Sequence, residues 1–368
     1  MSTQIFHVCK ILLMTIDPVH VGTGGMRLGG VDNTIVREPG TRIPKIPGTS
    51  LSGAIRQYAA RRFGNKIQCA GQEGHCGRPT CPICYTFGFV KGESLVKAHS
   101  GMVSIGDAYI LFFPVYSMVG PVWITCPSAL KGFGLNAPPE PASDRQGIWD
   151  DKLTSQDHIN LGWLMVQKEN SKDVSLSDLD EVPRLMKERV VVVTDRIFSQ
   201  LINSNLEVRT SVSINPETGA AQDKALFTYE AIPRAAVMWL EIVEDDFRGE
   251  FPSKKRLEEW SNLLQNGFKE EAKKLAQKWG LLQPDDNGKE ISKKTNEASM
   301  WVEEDKAKYD SISGQWHKNG STKDDRPVDV VLAGLELVEH LGIGGMGTRG
   351  FGRVRLLHPC KPESEVSK

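Results

Sequence analysis

Residues 22–56, GTGGMRLGGVDNTIVREPGTRIPKIPGTSLSGAIR, carry the pattern around which the rest of the chain is interpreted. A glycine-rich loop opens the stretch, Asp32 lies between apolar and polar neighbours, and a Pro-Gly turn leads into a helix predicted over 51–62. Thr49 or Ser50 is expected to cap that helix. A helix N-terminus beside a glycine loop offers unpaired N–H groups and a positive dipole end, so the stretch predicts a phosphate site.

A second glycine-rich loop, GIGGMGTRGFG, covers residues 342–352 and follows an apolar helix predicted over 328–341. Its spacing matches the dinucleotide-binding fingerprint, but that fingerprint follows a strand and opens a helix. Here a helix precedes the loop and a predicted strand, 352–357, follows it. We therefore interpret the loop as a nest of backbone N–H groups with interleaved arginines, which suits a phosphodiester backbone. If the strands that carry the two loops are neighbours, the loops form one phosphate-binding surface.

Length and composition are those of a globular protein with one large or two medium domains: 368 residues, 39% hydrophobic and 25% charged. The net charge of −1 counts mildly against a nucleic-acid binder, so any such surface must be local. No run approaches the roughly 20 apolar residues of a membrane helix. The N-terminus has no secretory signal pattern, and we expect a cytoplasmic protein without membrane contact.

Four cysteines follow one another in the spacing Cys69-x6-Cys76-x4-Cys81-x2-Cys84. In a cytoplasmic protein this spacing indicates thiolates that hold tetrahedral zinc. The intervening sequence has almost nothing apolar with which to fold, so the metal would order the loop. Four thiolates leave no open position, which makes the predicted Zn²⁺ structural. His75 is an alternative ligand for one of the cysteines and does not change that conclusion.

The remaining pattern predicts an α+β fold with two additions to its core. Both arms of a long hairpin are too polar for two buried faces, which is typical of a projecting arm or a solvated edge. A segment rich in charge predicts a helical insertion, partly flexible, with a solvated face and no chemistry. The tail is expected to be flexible. The assigned segments are the core at 1–244 and 327–358, the zinc loop at 66–90, the hairpin at 205–230, the insertion at 245–326 and the tail at 359–368.

Seven short motifs are specific by their order and spacing, although each motif alone is weak. They are HVGTG at 20–24, VDNTIVRE at 31–38, IPGTSLSGAIR at 46–56, ITCPSAL at 124–130, VVVVTD at 190–195, NPETGA at 215–220 and GFGRVRL at 350–356. Together they resemble the RAMP superfamily of CRISPR-associated proteins, and most of all the repeated backbone subunit of type III-B (Cmr) effector complexes. The resemblance covers most of residues 6–242 and 328–357.

That resemblance implies a ferredoxin-like core of the RNA-recognition-motif type. It also implies that copies of the chain stack as a filament along a CRISPR guide RNA, beside other type III effector subunits. The hairpin would be the family's thumb, which wedges into the duplex of guide and complementary target RNA. Asp32 matches the position that carries metal-dependent cleavage of the target, with Mg²⁺ or another divalent ion. The implied RNA contacts are His20, Gly22, Gly24, Lys45, Ser50, Ser52, Arg56, Arg209, Gln222, Gly344, Gly345, Arg349 and Arg353.

Two features depart from the Cmr pattern. The cysteine motif is more like that of type III-A and III-D backbone subunits, which leaves the subtype open. The insertion at 245–326 has no counterpart in the family pattern.

Other functions are compatible with the same residues. The chain is alternatively a non-catalytic, structural RNA-binding subunit of the same complex. It is alternatively a RAMP endonuclease that trims precursor guide RNA, with His20 as the base, although a histidine at a strand edge is more often simply hydrogen-bonded there. A zinc enzyme of another class conflicts with saturated thiolate ligation. Without RNA contact, the chain would be a zinc-stabilised α+β protein whose glycine loops are only turns.

Overall fold

The structure, a computed structural model, describes residues 6–24, 31–71, 74–90, 98–169, 176, 179–214, 216–265, 269–283, 286–312, 316 and 325–362. Helices and strands are mixed along the chain, as the α+β prediction requires. The strands are β1 (His7–Thr15), β2 (Lys45–Ile46), β3 (Val103–Ile105), β4 (Ala108–Val115), β5 (Val122–Thr125), β6 (Gln146–Gly147), β7 (His158–Leu161), β8 (Leu164–Lys168), β9 (Val190–Val192), β10 (Glu207–Ile214), β11 (Ala221–Ala231), β12 (Val237–Glu244) and β13 (Val354–Pro362).

The helices connect and cover these strands. In the described part of the chain, no helix combines the length and the apolar character that crossing a bilayer requires. The helices are α1 (Gly48–Arg62), α2 (Pro82–Phe87), α3 (Pro127–Phe133), α4 (Arg184–Lys187), α5 (Asp195–Ser204), α6 (Lys254–Gln265), α7 (Lys269–Lys278), α8 (Gly288–Tyr309) and α9 (Pro327–Leu341).

The largest sheet has the main strand order β13-β1-β12-β4-β5-β9. The first four strands in this order are antiparallel neighbours, with β1 between β12 and β13, and β4 beyond β12. Along the chain they alternate with two helices as β1-α1-β4-β12-α9-β13. Helices α1 and α9 pack together, and their apolar side chains, among them Ile55 and Leu335, share one core with Leu13 of β1.

The strands that carry the two glycine-rich loops are neighbours, because β1 precedes the first loop and β13 follows the second. Strand β13 continues to Pro362, so residues 359–362 of the predicted flexible tail belong to a strand. The rest of that tail, 363–368, lies outside the described residues, as do residues 25–30 of the first glycine loop.

Helix α1 begins earlier than predicted and is capped by a distant residue. It starts at Gly48, and Pro47 before it makes no side-chain cap. Instead, Oδ1 of Asp107 accepts the N–H of Gly48 at 2.7 Å. The expectation that Thr49 or Ser50 caps the helix is therefore wrong, because a carboxylate outside the local sequence satisfies the first N–H group.

Strands β10 and β11 form a two-stranded hairpin apart from the large sheet. Its bounds, 207–231, are close to the predicted 205–230. Val208, Val212 and Leu226 are exposed on it, and Val212 pairs with Leu226 across the ladder. The hairpin thus carries exposed apolar side chains that nothing in the described chain covers.

The insertion packs one face of its helices against the rest of the chain. Helices α6, α7 and α8 bury Trp260, Trp279 and Trp301 in a core that they share with the cysteine loop and with Phe63 of α1. The predicted solvated face is present on the opposite side, where charged residues such as Glu258 are exposed. A few large aromatic side chains supply the apolar area that the charged composition of the segment lacks. Helix α8 occupies a stretch whose polar sequence shows no clear helical period.

Replacing Gly334 of α9 with alanine is expected to destabilise the fold by about 1–3 kcal/mol, because the new methyl group overpacks a helix contact. A Cβ atom at Gly334 would lie 2.3 Å from the carbonyl oxygen of Ile55 on α1. The matched control is Gly53→Ala on the exposed side of α1, where a Cβ atom meets nothing within 4 Å. That control is expected to stabilise by up to about 1 kcal/mol through helix propensity. Urea denaturation measures both changes, and equal unfolding midpoints would contradict the packing.

Candidate nucleic-acid interface and metal centre

The hairpin holds Asp32 in place. Oδ2 of Asp32 accepts the backbone N–H and the hydroxyl group of Thr228, both at 2.8 Å. The N–H of Asp32 donates back to the same hydroxyl oxygen at 2.9 Å. Just beyond, Asn33 and Tyr229 form a parallel bridge. The segment that carries Asp32 therefore extends the edge of β11, and the position of its carboxylate depends on the hairpin.

The same hydrogen bonds control the charge of Asp32. The N–H and the hydroxyl group of Thr228 lower the pKa of the carboxyl group, because both stabilise the ionised form. The side chain is half-buried, and Oδ1 has no hydrogen-bond partner among the described residues. One carboxylate oxygen is thus tethered, and the other is available to a cation, a water molecule or a hydroxyl group.

A buried ion pair between Arg37 and Glu230 fixes the segment that follows Asp32. Oε1 of Glu230 lies 2.5 Å from a guanidinium nitrogen of Arg37, and Oε2 accepts the N–H of Ile35 at 3.2 Å. Arg37 also donates to Oδ1 of Asn203 on α5 at 2.8 Å. Charged groups removed from water must be paired and hydrogen-bonded, and both of these are. The pair connects residues 35–37 to β11 and to α5.

His20 lies beneath the surface that the loops form. Its side chain is 7% exposed, and Nδ1 lies 2.6 Å from the carbonyl oxygen of Glu230. The ring packs edge-on against Tyr229, with 5.7 Å between the ring centroids. Because a carbonyl oxygen only accepts, Nδ1 carries the proton of this hydrogen bond. These contacts match the hydrogen-bonded alternative that the sequence left open for His20.

The two glycine-rich loops meet at His20. The N–H of Gly345 donates to the His20 carbonyl oxygen at 2.9 Å. Gly344 has a φ of +81°, and a Cβ atom there would lie 2.4 Å from the same oxygen. Both the left-handed backbone and the close approach therefore require glycine at 344. The first loop joins this surface through Gly22, which bridges to Ile35 in the Asp32 segment.

Two exposed arginines lie where the second loop meets the hairpin. Arg349 donates to Oγ of Ser211 at 3.2 Å. The guanidinium group of Arg209 lies over the ring of Phe351, 4.8 Å from its centroid. The sequence predicted both arginines as RNA contacts, and the structure brings them together. The side chain of Gln222 lies outside the described residues.

Arg209 also pairs with a carboxylate, since its Nε lies 2.6 Å from Oε1 of Glu207. Two other predicted cations are paired in the same way. Arg353 donates two hydrogen bonds to Asp17, at 2.5 and 3.1 Å. Lys45 lies 2.6 Å from Asp107 and 2.5 Å from Glu38, and its hydrogen bonds with these carboxylates raise its pKa. These contacts leave little charge at Lys45 and Arg353 for an RNA phosphate.

The predicted RNA contacts on α1 do not all face the glycine loops. Arg56 donates to the carbonyl oxygen of Cys69 at 2.7 Å, and its guanidinium lies 3.1 Å from Nδ1 of His75. Arg56 therefore connects α1 to the cysteine loop. Ser50 and Ser52 are half-buried in the first turns of the helix.

The four cysteines at 69, 76, 81 and 84 form one buried cluster. Their sulfur atoms all lie within 4.8 Å of one another. Two sulfur–sulfur distances are 3.8 Å, from Cys76 to Cys84, and 3.9 Å, from Cys69 to Cys81. Tetrahedral zinc with Zn–S bonds of about 2.3 Å separates its ligands by about 3.8 Å. The donor set and its spacing thus fit a metal ion, and His75 is not part of the cluster.

A buried lysine that the sequence did not single out lies beside the cluster. Nζ of Lys66 is 3.8 Å from Sγ of Cys76 and 2.6 Å from Oδ1 of Asp305 on α8. Oδ2 of Asp305 accepts the hydroxyl group of Thr80 at 2.8 Å. A cation in this position offsets part of the charge of the thiolates. No local motif predicts the contact, since 239 residues separate Lys66 from Asp305.

Comparison with known proteins assigns the family. The RAMP superfamily model matches residues 12–288, which is more than half of the chain. The CRISPR system Cmr endoribonuclease Cmr4 of Pyrococcus furiosus is 28% identical over 242 residues, which are 60% of this chain and 76% of that protein. The CRISPR system Cms endoribonuclease Csm3 of Methanothermobacter thermautotrophicus is 35% identical over 88 residues, 23% of this chain and 33% of that protein.

Solved structures agree at the level of the fold. A type III-B Cmr-beta cryo-EM structure in its apo state matches with a TM-score of 0.50 and 16% identity, over 65% of this chain and 85% of that one. At this identity the likeness concerns the fold alone. Because the family model spans most of the region that carries the motifs, the chain belongs to the RAMP superfamily.

Proposed function

We propose that the chain is the repeated backbone subunit of a type III CRISPR effector complex, most like that of type III-B. It binds guide RNA as a filament and cleaves complementary target RNA at regular intervals. The observation that carries the proposal is the ionised carboxylate of Asp32 beside the hairpin. Its Oδ2 is hydrogen-bonded to Thr228, and its Oδ1 is available to a ligand. Similarity to the Cmr endoribonuclease Cmr4 over 76% of that protein supports the ribonuclease class.

The strand order supports a ferredoxin-like core for this subunit. The element order β-α-β-β-α-β, with the first strand between the last two, is the arrangement of that fold. The two helices cover one face, so the strand ends and their loops are the parts that can meet a partner.

Recognition of the guide backbone would rest more on peptide N–H groups than on cations. The glycine loops and the start of α1 present small neutral donors to phosphodiester oxygens. Arg349 adds charge at the junction of the second loop and the hairpin, and Arg209 lies beside it, partly offset by Glu207. Lys45 and Arg353 would contribute indirectly, because their ion pairs with Asp107 and Asp17 hold the neighbouring loops in position.

Cleavage would use a target nucleotide that the hairpin displaces. Its 2′-OH gives up a proton to water and attacks the adjacent phosphate in line, the bond to the 5′ oxygen breaks, and that oxygen takes up a proton from water. The products are a 2′,3′-cyclic phosphate and a 5′-OH end. A divalent ion such as Mg²⁺, if bound there, would supply positive charge against the developing charge of the phosphate. Asp32 would hold this ion or orient the 2′-OH through Oδ1, while Thr228 keeps the carboxylate in place.

The structure gives less support to the hypothesis that the chain is an endonuclease that trims precursor guide RNA. It would need His20 as a base, yet that ring is 7% exposed and its Nδ1 is bound to a carbonyl oxygen. A non-catalytic subunit differs from the main proposal only in the role of Asp32, and substitutions at Asp32 distinguish the two.

The proposed assembly is tested by purifying the chain together with its co-expressed neighbours and sequencing the nucleic acid that accompanies it. Repeat-derived guide RNA, protected in regularly stepped lengths, is the expected result. A monodisperse, metal-loaded protein without RNA at physiological salt would overturn the proposal.

Replacing Asp32 with asparagine is expected to lower target cleavage by the assembled complex at least about a hundredfold. The amide oxygen can still accept the two hydrogen bonds from Thr228, so the loop keeps its position while the negative charge is lost. Asp32→Ala, which also removes those bonds, is expected to abolish cleavage. Cleavage is measured on a labelled target under single-turnover conditions, and guide and target binding are measured by filter retention.

The control for both variants is Asp245→Ala, which removes an exposed carboxylate at the end of β12. It is expected to cleave as the wild type does. All three variants should bind guide and target normally. Wild-type cleavage by Asp32→Asn would leave the non-catalytic subunit as the better description.

We also propose that the cysteine cluster holds one structural Zn²⁺ ion. Cys84→Ser is expected to lower the zinc content from one ion per chain towards zero and to reduce the thermal midpoint, because a structural metal contributes folding free energy. Cys126→Ser, at a buried free thiol outside the cluster, is the control and keeps the zinc.

Elemental analysis and thermal melting measure both properties. His75→Ala also keeps one ion per chain, since the ring lies outside the cluster. Loss of zinc in His75→Ala would contradict the four-cysteine ligand set.

A further inference from the structure

A cavity of about 330 Å³ lies between the cysteine loop and the insertion. Residues of the cysteine loop, of the connection at 248–250 and of helices α6 and α7 line it, and we call it the insertion pocket. Its volume is at the lower end of the range of small-ligand sites, about 300–1,000 Å³. None of its lining residues belongs to the glycine loops, the hairpin or the Asp32 segment.

Aromatic rings form much of the lining. Trp260 and Trp279 pack edge to face with 5.0 Å between their ring centroids, and Phe89 and His99 form a similar pair at 5.4 Å. Tyr85 adds a further ring, fixed by a hydrogen bond from its hydroxyl group. Several rings around a small cavity favour a planar ligand with a π surface, and nucleobases bind proteins in this way.

Cations outnumber acids at the same cavity. Arg78 pairs with Glu304, and Lys278 pairs with Glu250. Arg248, by contrast, makes no ion pair with any residue in the described part of the chain. Its guanidinium group lies over the ring of Phe247, 5.2 Å from the centroid, and has no carboxylate partner among the described residues, so it can pair with an anion. A guanidinium group matches the geometry of a phosphate with two parallel hydrogen bonds.

The pocket also carries polar groups suited to the edge of a base. Burial and the nearby charge of Arg248 lower the pKa of His99, so its ring is neutral and offers one donor and one acceptor. The carboxylate of Glu250 is a further acceptor at the rim. The aromatic rings match the flat face of a nucleobase, the guanidinium group of Arg248 matches a phosphate, and the polar groups match the hydrogen-bonding edge of the base.

We propose that the insertion pocket binds one nucleotide, whose base lies among the aromatic rings and whose phosphate pairs with Arg248. Two sources share this chemistry: a free mononucleotide and one nucleotide of a single-stranded RNA. The site is separate from the proposed guide and target surface and does not depend on it. Inorganic phosphate alone would leave the rings unused, and a nucleoside without phosphate would leave Arg248 unpaired.

Two measurements on the zinc-loaded full-length chain distinguish the sources. In the first, AMP, GMP, CMP and UMP are titrated in turn, with inorganic phosphate for comparison, and tryptophan fluorescence reports on Trp260 and Trp279. In the second, a short RNA containing 4-thiouridine is cross-linked by light, and the attached peptides are mapped by mass spectrometry. Binding of a mononucleotide identifies a free-nucleotide site. A cross-link confined to the peptides with Trp260 or Trp279 identifies an RNA nucleotide.

Matched variants decide whether the binding occurs in the insertion pocket. Arg248→Ala is expected to weaken the quenching by mononucleotide, or the cross-link yield, at least tenfold. Lys255→Ala removes an exposed cation on α6 outside the pocket and should stay within twofold of the wild type. Guide RNA binding should be unchanged in both, which separates this test from the proposed function.

Three results would overturn the proposal. The first is that neither mononucleotides nor RNA reach the pocket. The second is equal binding by the wild type and Arg248→Ala. The third is inorganic phosphate binding as tightly as the mononucleotides. Thermal melting confirms that both variants are folded, since both side chains are at least partly exposed.

Discussion

The pairing of β1 with β12 on one side and β13 on the other is the constraint on which the rest of the structure depends. As a result, β1, near the N-terminus, lies between β12 and β13, which both come from the second half of the chain. The backbone after β1 then reaches His20, whose carbonyl oxygen receives the N–H of Gly345, and whose ring receives support from Glu230, 210 residues later. The surface around Asp32 is therefore a product of sheet topology, since no single stretch of sequence contains it.

This origin explains which features the sequence could predict. The cysteine cluster, the glycine loops and the hairpin are each encoded within one short stretch, and their spacing or composition identifies them. The state of Asp32 is different, because the hydroxyl group that lowers its pKa belongs to Thr228, 196 residues away. The cap of α1 comes from Asp107, 59 residues from Gly48, and the same carboxylate neutralises Lys45. Such partners carry no local signal, so neither the cap of α1 nor the carboxylate beside Lys45 can be predicted from the neighbouring sequence.

The insertion shows why amino-acid composition alone did not predict its packing. Its charge density suggests a solvated segment, yet a few tryptophans carry enough apolar area to form a core with the cysteine loop and α1. The buried contact of Lys66 with Asp305 connects the same two units by charge. Burial of such a pair costs desolvation free energy and contributes little net stability, but it specifies how the two units fit together. The cysteine cluster, the insertion and the core helix α1 consequently form one packed body.

The distribution of paired cations bears on how a chain with a net charge of −1 would bind a polyanion. Lys45 and Arg353 are occupied by carboxylates, which leaves peptide N–H groups and a few exposed arginines for phosphate contacts. Each cation that contacts a phosphate adds to affinity through counterion release, so a surface with few free cations binds a single strand weakly. In a filament, however, every copy that joins the same guide binds at the high effective concentration set by its neighbours. Weak contacts by one chain and strong contacts by an array are therefore compatible, and assembly rather than charge would supply the affinity for RNA.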